Sequence, residues 1–321
     1  MPAAAAETSV VVSTYNEKRW DDLLACIRSL ESQTLPPLQV IVVVDHNPGL
    51  LERAGGAFPE ATVIPNERAR GLSGARNSGT AAARGSIIAF IDDDARAEPD
   101  WLQRLQACFE EDGSVAGAGG ALLPLWEGPE ARWIPREFYW VFGCSYTGLP
   151  EELAPVRNPI GANMAVRASI LEEIGGFREG SAEDAPRELR ARGVVRAGGN
   201  IPDDTDLAIR VKQRRPDAVW LYQPTAVVHH TVTPERGTFG YFVRRCYEEG
   251  VGKANLTRYV GADLGLSSER RHAMLVLPAG ILRGFRDLLR GDIRGPLRSA
   301  AIAIGLGVVV GGFLVGKVRG R

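Results

Sequence analysis

Short apolar runs alternate with helical segments along the first third of the chain. The runs SVVVST, VIVVVD and IIAFIDDD are rich in β-branched residues and too short for helices, so they indicate buried strands. Between the first two runs, apolar residues from Trp20 to Gln33 recur at helical spacing, and Pro36 and Pro37 follow. This alternation predicts an α/β fold with a mostly parallel central sheet and helices on both faces.

Polar residues follow the predicted strands at the points where they end. STYNE comes after the first strand, Asp45 ends the second, and three consecutive aspartates end the run IIAFI. Because ligands of open α/β sheets bind beyond the carboxyl ends of the strands, we expect these polar groups to share one cleft.

The three aspartates Asp92, Asp93 and Asp94 are the sharpest functional feature. Carboxylates at the end of a buried strand are costly unless a cation compensates their charge. Hard oxygen ligands favour Mg²⁺ or Mn²⁺, which commonly bridge to the phosphates of a nucleotide. A solvated acidic turn is the alternative interpretation. The run therefore predicts a site for Mn²⁺ or Mg²⁺.

Composition narrows the function classes. The chain has 38 Lys and Arg against 39 Asp and Glu, so its net charge of −1 provides no field that would hold nucleic acid. Its four cysteines are far apart, which argues against a zinc site or a disulfide framework. The segment STYNEKRW lacks glycine, which disfavours a nucleotidyltransferase and a nicotinamide dehydrogenase. The N-terminus shows no export signal, so we expect the catalytic part in the cytosol.

Five motifs of the chain occur in the order and approximate spacing of glycosyltransferase family 2: SVVVSTYNE, VIVVVD, GLSGARNSG, IDDDA and DDTDL. The chain resembles that family from about Ser9 to Arg258. The resemblance implies a GT-A fold and transfer of a sugar, with inversion, from a nucleotide-diphosphate donor, with a UDP-sugar expected. It also implies that Asp94 binds the divalent ion and that Asp92 contacts the donor ribose or sugar, with Asp93 beside them in the donor site.

The same resemblance assigns the nucleoside to the ends of the first two strands. The first of these contributes Thr14, Tyr15, Asn16 and Glu17. The second contributes Asp45, whose carboxylate can accept a hydrogen bond from the imide N–H of uracil. The alternative is that Asp45 is a turn or helix-cap residue.

The motif GLSGARNSG combines tight turns with a cation. Gly74 stands where the backbone must turn closely, and Arg76 can present its guanidinium to a phosphate or a nucleobase. A structural arginine that caps the adjacent helix is the alternative. We include both residues in the predicted donor site.

The motif DDTDL supplies a second acidic cluster at the predicted start of a helix. Inverting transfer needs a base that takes the proton of the acceptor hydroxyl as it attacks the anomeric carbon. Alignment with the family motif E-D-x-D-L makes Asp204 the candidate base, with Asp203 beside it. Simple charge complementation of the helix N-terminus is the alternative.

Two adjacent histidines in AVVHHTV follow a predicted strand. A neutral imidazole is a frequent ligand of Mn²⁺-type ions, and alternation along a strand allows only one of the two to face the site. Family members often carry a metal-binding histidine here. We favour His229 over His230 as the metal ligand, with a surface or core histidine as the alternative.

Two further residues are candidates for contact with the sugar or the acceptor. Asn163 lies in GANMAVR, which resembles the family segment that lines the sugar and acceptor pocket, and a strand asparagine that bonds backbone is the alternative. Trp126 belongs to an aromatic-rich stretch whose rings can stack on sugars or pack beneath a loop.

Two apolar segments flanked by arginines follow residue 258. The segment from Ser299 to Val315 approaches the length of a membrane-spanning helix but is rich in glycine. The segment from Met274 to Leu289 fits an amphipathic helix in the membrane interface. Core helices are the alternative for both. We therefore predict a GT-A catalytic domain at residues 1–258 and a membrane-associating helical segment at residues 259–321.

A membrane location makes a polyprenyl-linked or saccharide acceptor the natural hypothesis, with membrane lipid as a further partner and nucleic acid excluded. The chain resembles membrane-associated prokaryotic family members that act on lipid-linked or cell-surface glycans. We thus expect a glycosyltransferase at the cytoplasmic face of the cell membrane. The alternative is a membrane-bound scaffold that binds a nucleotide sugar without catalysis, which the intact acidic motifs disfavour.

Overall fold

The computed structural model describes residues 7–110, 112–179, 202–261 and 265–319. The chain divides into two compact units. The first contains Met1–Leu123, Pro150–Gly199 and Asp203–His230, and the second contains Pro124–Leu149, Asn200–Pro202 and Thr231–Arg321. The second unit thus includes chain from both sides of residue 258, where we placed the end of the catalytic domain.

The strands of the described chain form one sheet. They are β1 (Thr8–Thr14), β2 (Gln39–Val44), β3 (Thr62–Pro65), β4 (Ile87–Asp92), β5 (Ala95–Ala97), β6 (Val115–Trp126), β7 (Ala154–Val156), β8 (Asn163–Arg167) and β9 (Val219–Val232). The order across the sheet is β3-β2-β1-β4-β8-β6-β9-β5, and β7 pairs with β9.

The helices of the first unit are α1 (Trp20–Glu31), α2 (Pro48–Ala57), α3 (Leu72–Ala82), α4 (Trp101–Ala107), α5 (Ala168–Ile174) and α6 (Asp203–Arg214). Local chemistry sets their ends. Asn47 caps α2 by accepting a hydrogen bond from the N–H of Leu50, and Pro48 occupies the first turn. Gly175 ends α5 in the left-handed conformation, with a φ of 73°.

The alternation of side chains along β1 produces two cores, one on each face of the sheet. Val10 and Val12 pack with residues of α1, α2 and α4, whereas Val11 packs with residues of α3, α5 and α6. This arrangement confirms the α/β fold with helices on both faces. A fully buried sheet explains why β1, β2 and β4 are continuous apolar runs in the sequence.

The strands are parallel only in the part of the sheet that the first third of the chain builds. β1 pairs in parallel with β2 and β4, and β2 pairs in parallel with β3. The later strands reverse: β8 is antiparallel to β4 and β6, and β5 and β7 are antiparallel to β9. The ends of β1, β2 and β4 therefore meet at one edge, as the sequence predicts.

The second unit has its own aromatic core. Its helices are α7 (Phe239–Val260), α8 (Ser267–Arg271), α9 (Leu277–Leu289) and α10 (Gly295–Arg319), and a 3₁₀ turn covers Arg136–Phe142. Phe138, Phe142 and Phe242 are buried there with Ile302 of α10. Helix α10 packs against both α7 and α9.

Close packing of α3 on β1 yields a prediction about stability. A methyl group at Gly79 would overlap a methyl group of Val11, whereas the exposed Gly55 of α2 has open space around it. We expect Gly79→Ala to lower the free energy of unfolding by about 1–3 kcal/mol relative to Gly55→Ala, because overpacking outweighs the gain in helix propensity. Urea denaturation of the two variants measures the difference, and equal stabilities would contradict the tight packing.

Candidate active site

The three acidic side chains at the end of β4 point in different directions. Asp92 is partly exposed, whereas Asp93 and Asp94 are 2% and 4% exposed. Asp93 turns inward, where its Oδ2 accepts a hydrogen bond from Thr14 Oγ1 at 2.7 Å and its Oδ1 accepts one from Arg19 Nη1 at 2.8 Å. Both oxygens of Asp93 are thus engaged by β1 and the turn that follows it.

Asp92 and Asp94 instead gather with a histidine. One ligand atom from each of Asp92, Asp94 and His230 lies within 4.8 Å of the others. His230 Nε2 is 3.2 Å from Asp94 Oδ1, and the imidazole is buried. The pairing of β5 with β9 brings these residues together, because it sets Ala95 opposite His230.

The preference for His229 is wrong about which imidazole reaches the acidic cluster. His229 sits one residue earlier on β9 and therefore points to the other side of the sheet. Its Nε2 lies 2.6 Å from Glu98 Oε1, with about a third of the side chain exposed. The alternation that the sequence predicts holds, but the register of β9 selects His230.

This donor set fits the expected metal. Two carboxylates and one imidazole suit a Mn²⁺-type ion, and a bound cation offsets the cost of burying acidic side chains. Asp92, Asp94 and His230 are therefore the residues that would hold Mn²⁺ or Mg²⁺.

Arg19 belongs to the cluster although no motif singled it out. It ends the 3₁₀ turn Glu17–Arg19, and its guanidinium contacts Asp93 Oδ1 at 2.8 Å and Asp94 Oδ2 at 3.2 Å. Burial lowers the pKa of Arg19, but the carboxylates of Asp94 and Asp93 outweigh it and raise the pKa. Burial also raises the pKa of Asp93 to about 6, although Arg19 acts in the opposite direction. In the sequence, the only sign that Arg19 belongs to the site is that a basic residue follows the end of β1.

Arg76 joins the first acidic motif to the second. Its side chain is buried, its Nη1 lies 2.9 Å from Asp203 Oδ2, and its Nη2 lies 3.4 Å from Asp92 Oδ1. Nη2 also donates to the carbonyl oxygen of Gly161 at 2.8 Å. The guanidinium therefore lies among carboxylates of this chain, and its contact with a phosphate or a nucleobase stays a prediction.

The second acidic motif begins α6 and reaches the same cleft. Asp203 Oδ1 accepts a hydrogen bond from the backbone N–H of Asp204 at 3.0 Å. Asp204 Oδ2 accepts one from the N–H of Gly161 at 3.1 Å, and its Oδ1 accepts one from Thr205 Oγ1 at 3.1 Å. The structure thus brings together both acidic motifs, which are far apart in sequence.

The predicted nucleoside residues also lie at these strand ends. Asp45 Oδ1 accepts from Asn66 Nδ2 at 2.6 Å, and Oδ2 accepts from the N–H of Gly71 at 2.9 Å. Asp45 therefore holds the loop before α3, as the turn-residue alternative states. Oδ1 also lies 2.8 Å from His46 Nδ1, so Oδ2 is the oxygen that retains a lone pair, and contact with a nucleobase stays a prediction.

The remaining nucleoside candidates differ in exposure. Thr14 is buried against Asp93, whereas Tyr15 is 56% exposed and Glu17 is exposed. Asn16 caps the following 3₁₀ turn by accepting from the N–H of Lys18 at 3.1 Å. Tyr15 and Glu17 are therefore the side chains of this group that a ligand reaches without rearrangement.

Gly74 is required by close packing. A Cβ atom at this position would overlap the carbonyl oxygen of Ala69, so only glycine allows the loop to fold back on α3. The preceding Gly71 has a φ of 119°, which also favours glycine. The tight turns predicted for GLSGARNSG are present, and the role of Gly74 toward a donor stays a prediction.

Asn163 does not line a pocket. It is fully buried, its Oδ1 accepts from Trp101 Nε1 at 2.7 Å, and its Nδ2 donates to the carbonyl oxygens of Ala121 and Ala226 at 3.0 and 2.9 Å. The prediction that Asn163 bonds sugar hydroxyls is therefore wrong, because its amide is committed to tying three segments of the first unit together.

Trp126 lies in the second unit and is partly exposed. Its ring packs edge-on against Tyr139 and Phe142, with centroids 6.4 and 5.2 Å away. These contacts match the alternative of packing beneath a loop, and contact of Trp126 with an acceptor stays a prediction.

The chain is similar in sequence to known proteins. The family model described as Glycosyl transferase family 2 matches residues 9–175. The chain is 29% identical over 250 residues to the glucosyl-dolichyl phosphate glucuronosyltransferase of Haloferax volcanii, covering 77% of this chain and 76% of that protein.

Two solved structures resemble the fold. The mannosyltransferase PcManGT from Pyrobaculum calidifontis, in complex with GDP-Man and Mn²⁺, gives a TM-score of 0.58 at 18% identity and covers 100% of this chain and 89% of its own. GalNAc-T7 with UDP, GalNAc and Mn²⁺ gives a TM-score of 0.52 at 17% identity, covering 78% of this chain and 50% of its own. Both likenesses confirm the expected α/β fold of GT-A type.

The geometry predicts how metal binding responds to substitution. We expect Asp94→Asn and His230→Gln each to weaken Mn²⁺ binding by about tenfold or more, because each removes a ligand from the cluster. His229→Gln is the matched control, since that imidazole lies against Glu98. Electron paramagnetic resonance of free Mn²⁺, with and without a nucleoside diphosphate, measures the affinities. A larger loss for His229→Gln than for His230→Gln would refute the assigned ligand set.

Proposed function

The chain belongs to glycosyl transferase family 2, and from this premise we propose that it transfers a sugar, with inversion, from a UDP-sugar to a lipid-linked or glycan acceptor at the cytoplasmic membrane face. Asp204 acts as the base, and Asp92, Asp94 and His230 hold a divalent ion. The observation that carries the proposal is the pair of ion pairs by which Arg76 links Asp92 of the first acidic motif to Asp203 of the second.

The first acidic motif provides the donor end of the site. Asp92, Asp94 and His230 would hold a divalent ion, which would supply positive charge to the diphosphate of the departing nucleotide. Arg19 holds the second oxygen of Asp94, so the carboxylate keeps its orientation when the donor arrives.

The second acidic motif provides the acceptor end, and its two aspartates have different partners. Asp203 Oδ2 forms an ion pair with Arg76 Nη1 at 2.9 Å, so this carboxylate is already engaged by a cation of the chain. The hydrogen bonds of Asp204 with Gly161 and Thr205 come from neutral donors. The alignment with the family motif E-D-x-D-L favours Asp204 as the base, and Asp203 anchors the start of α6 to Arg76.

The nucleoside lies across the ends of β1 and β2 in this proposal. The exposed ring of Tyr15 offers a stacking surface, and Asp45 retains acceptor capacity for an imide N–H. Asn16 and Glu17 flank that surface. The two similar solved structures carry different nucleotides, GDP-Man and UDP. The proposal that the nucleoside is uridine therefore depends on Asp45 and on the family resemblance.

A lipid-linked acceptor is suggested by the Haloferax volcanii relative, whose name specifies a dolichyl phosphate glucoside as its substrate. The alignment extends over three quarters of each chain. The same likeness and the apolar helix Gly295–Val318, whose mean hydropathy is 2.2, support the membrane location in this proposal.

The experiment that tests the proposal separates binding from catalysis. Purified protein is offered a panel of nucleotide sugars with and without Mn²⁺ or Mg²⁺, and nucleotide release and donor binding are both measured. Metal-dependent release from one donor supports the transferase. Donor binding without turnover for any sugar and acceptor would instead favour the non-catalytic scaffold.

Substitution at the second acidic motif gives a sharper prediction. We expect Asp204→Asn to lower kcat by about 10²–10⁴-fold with little change in donor Kd, because the variant loses the base but keeps the donor site. Asp203→Asn should lower kcat less, and Glu98→Gln, beside His229, serves as a control outside the cluster. Single-turnover kinetics and calorimetric titration of the donor measure the two effects. Wild-type kcat for Asp204→Asn would rule it out as the base.

A further inference from the structure

Helix α10 exposes large apolar side chains along its whole length. Leu297, Ile304, Val310, Leu314 and Val318 are between 42% and 73% exposed. Only 33% of the most apolar window of this helix is buried. Soluble monomers seldom leave such a long apolar face uncovered, so the face marks a binding surface.

The opposite face of α10 is fixed to α7 by glycines. A Cβ atom at Gly312 would overlap the carbonyl oxygen of Tyr247, and one at Gly250 of α7 would overlap the carbonyl oxygen of Val309. A Cβ atom at Gly316 would lie 2.7 Å from Ala254 Cβ. The two helices therefore touch through their backbones, and α10 cannot leave α7 without losing this packing.

Helix α7 is charged along the length that α10 covers. Arg245 pairs with Glu248 at 3.0 Å, and Lys253 pairs with Glu249 at 3.4 Å and with Glu269 of α8 at 2.6 Å. If α10 crossed a bilayer, these charges would be carried to hydrocarbon depth beside it, which is strongly unfavourable. The length and composition of α10 fit a spanning helix, but the charged side chains of α7, which packs against it, do not fit a position inside a bilayer.

Helix α9 extends the apolar surface beside α10. Leu282, Phe285 and Leu289 are between 56% and 87% exposed on one side of this helix. Its opposite side is packed: a Cβ atom at Gly284 would overlap Ser299 Oγ of α10. The two helices thus present their exposed apolar residues while their small residues face each other.

Arginines surround the turn between α9 and α10. Arg286, Arg290 and Arg294 are exposed, and within the described residues none of the three forms an ion pair. By contrast, Arg298 is paired with Asp287 and Asp292, both at 2.7 Å. Exposed cations beside an apolar surface match the charge of anionic lipid headgroups.

We propose that α9 and α10 lie flat in one leaflet of an anionic bilayer, with α10 along the membrane surface and not across it. The docking surface consists of Leu282, Phe285, Leu289, Ile304, Val310 and Leu314. Arg286, Arg290 and Arg294 contact lipid phosphates. The proposal deepens the membrane location assumed in the proposed function and is independent of the transfer reaction.

Vesicle flotation of the full chain tests the surface without any sugar chemistry. We expect binding to phosphatidylcholine vesicles that contain phosphatidylglycerol, and weaker binding without the anionic lipid or in high salt. Leu282→Glu and Leu314→Glu should each weaken binding by about tenfold, because each places a charge where an apolar side chain would enter the lipid. The control is Leu153→Glu in the first unit, where the side chain is also 52% exposed. Unchanged binding of both α9 and α10 variants would overturn the proposal.

A labelling experiment distinguishes a flat helix from a spanning one. Cysteines are introduced by Arg294→Cys and Lys317→Cys near the two ends of α10, and the four native cysteines are buried. In inverted membrane vesicles, both should react with an impermeant maleimide from the cytoplasmic side. Reaction of the two positions from opposite sides would establish a spanning helix.

Self-association of the chain without lipid, abolished by Leu314→Glu, would instead identify the surface as a contact between two copies.

Discussion

The guanidinium of Arg76 is the interaction on which the candidate site depends. It sits buried between Asp92 at the end of β4 and Asp203 at the start of α6, and it also bonds the carbonyl oxygen of Gly161. Without a cation there, two carboxylates from distant motifs would face each other across a poorly solvated cleft. Gly161 adds a second tie through its N–H to Asp204. A Cβ atom at Gly161 would lie 2.8 Å from Arg76 Nη1, so the close approach itself requires glycine.

Those parts of the fold and site that follow from local pattern could be predicted from the sequence. The apolar runs and their polar ends place β1, β2 and β4 side by side with Asp45 and Asp92 at one edge, because parallel strands align their carboxyl ends. What depends on long-range pairing could not be predicted. Periodicity shows that one of His229 and His230 faces the cluster, but the register of β5 on β9 decides which. The antiparallel strands after β4 likewise follow from tertiary packing and not from the sequence of each strand.

Asn163 and α10 illustrate a different limit, because their roles depend on what neighbours them. An asparagine in a strand reads equally as a sugar ligand or as a bond to backbone, and only the positions of Trp101 and Ala226 settle it. The glycines of α10 reduce its apparent suitability as a membrane span. In the structure Gly312 and Gly316 mark the side that packs on α7, whereas Val310, Leu314 and Val318 are exposed. Composition averages over both sides of a helix and so conceals this division.

The consecutive aspartates are divided between two tasks at the end of β4 and in the turn between β4 and β5. Asp93 turns inward to Thr14 and Arg19, while Asp92 and Asp94 face His230. Asp94 is shared: one oxygen is 3.2 Å from His230 Nε2, and the other is 3.2 Å from Arg19 Nη2. Arg19 thus fixes the rotation of the Asp94 carboxylate by contacting Oδ2, and Oδ1 is directed toward the imidazole of His230. Three consecutive acidic residues are tolerated at this buried strand end because the guanidinium of Arg19 pairs with Asp93. The same guanidinium orients the carboxylate of Asp94.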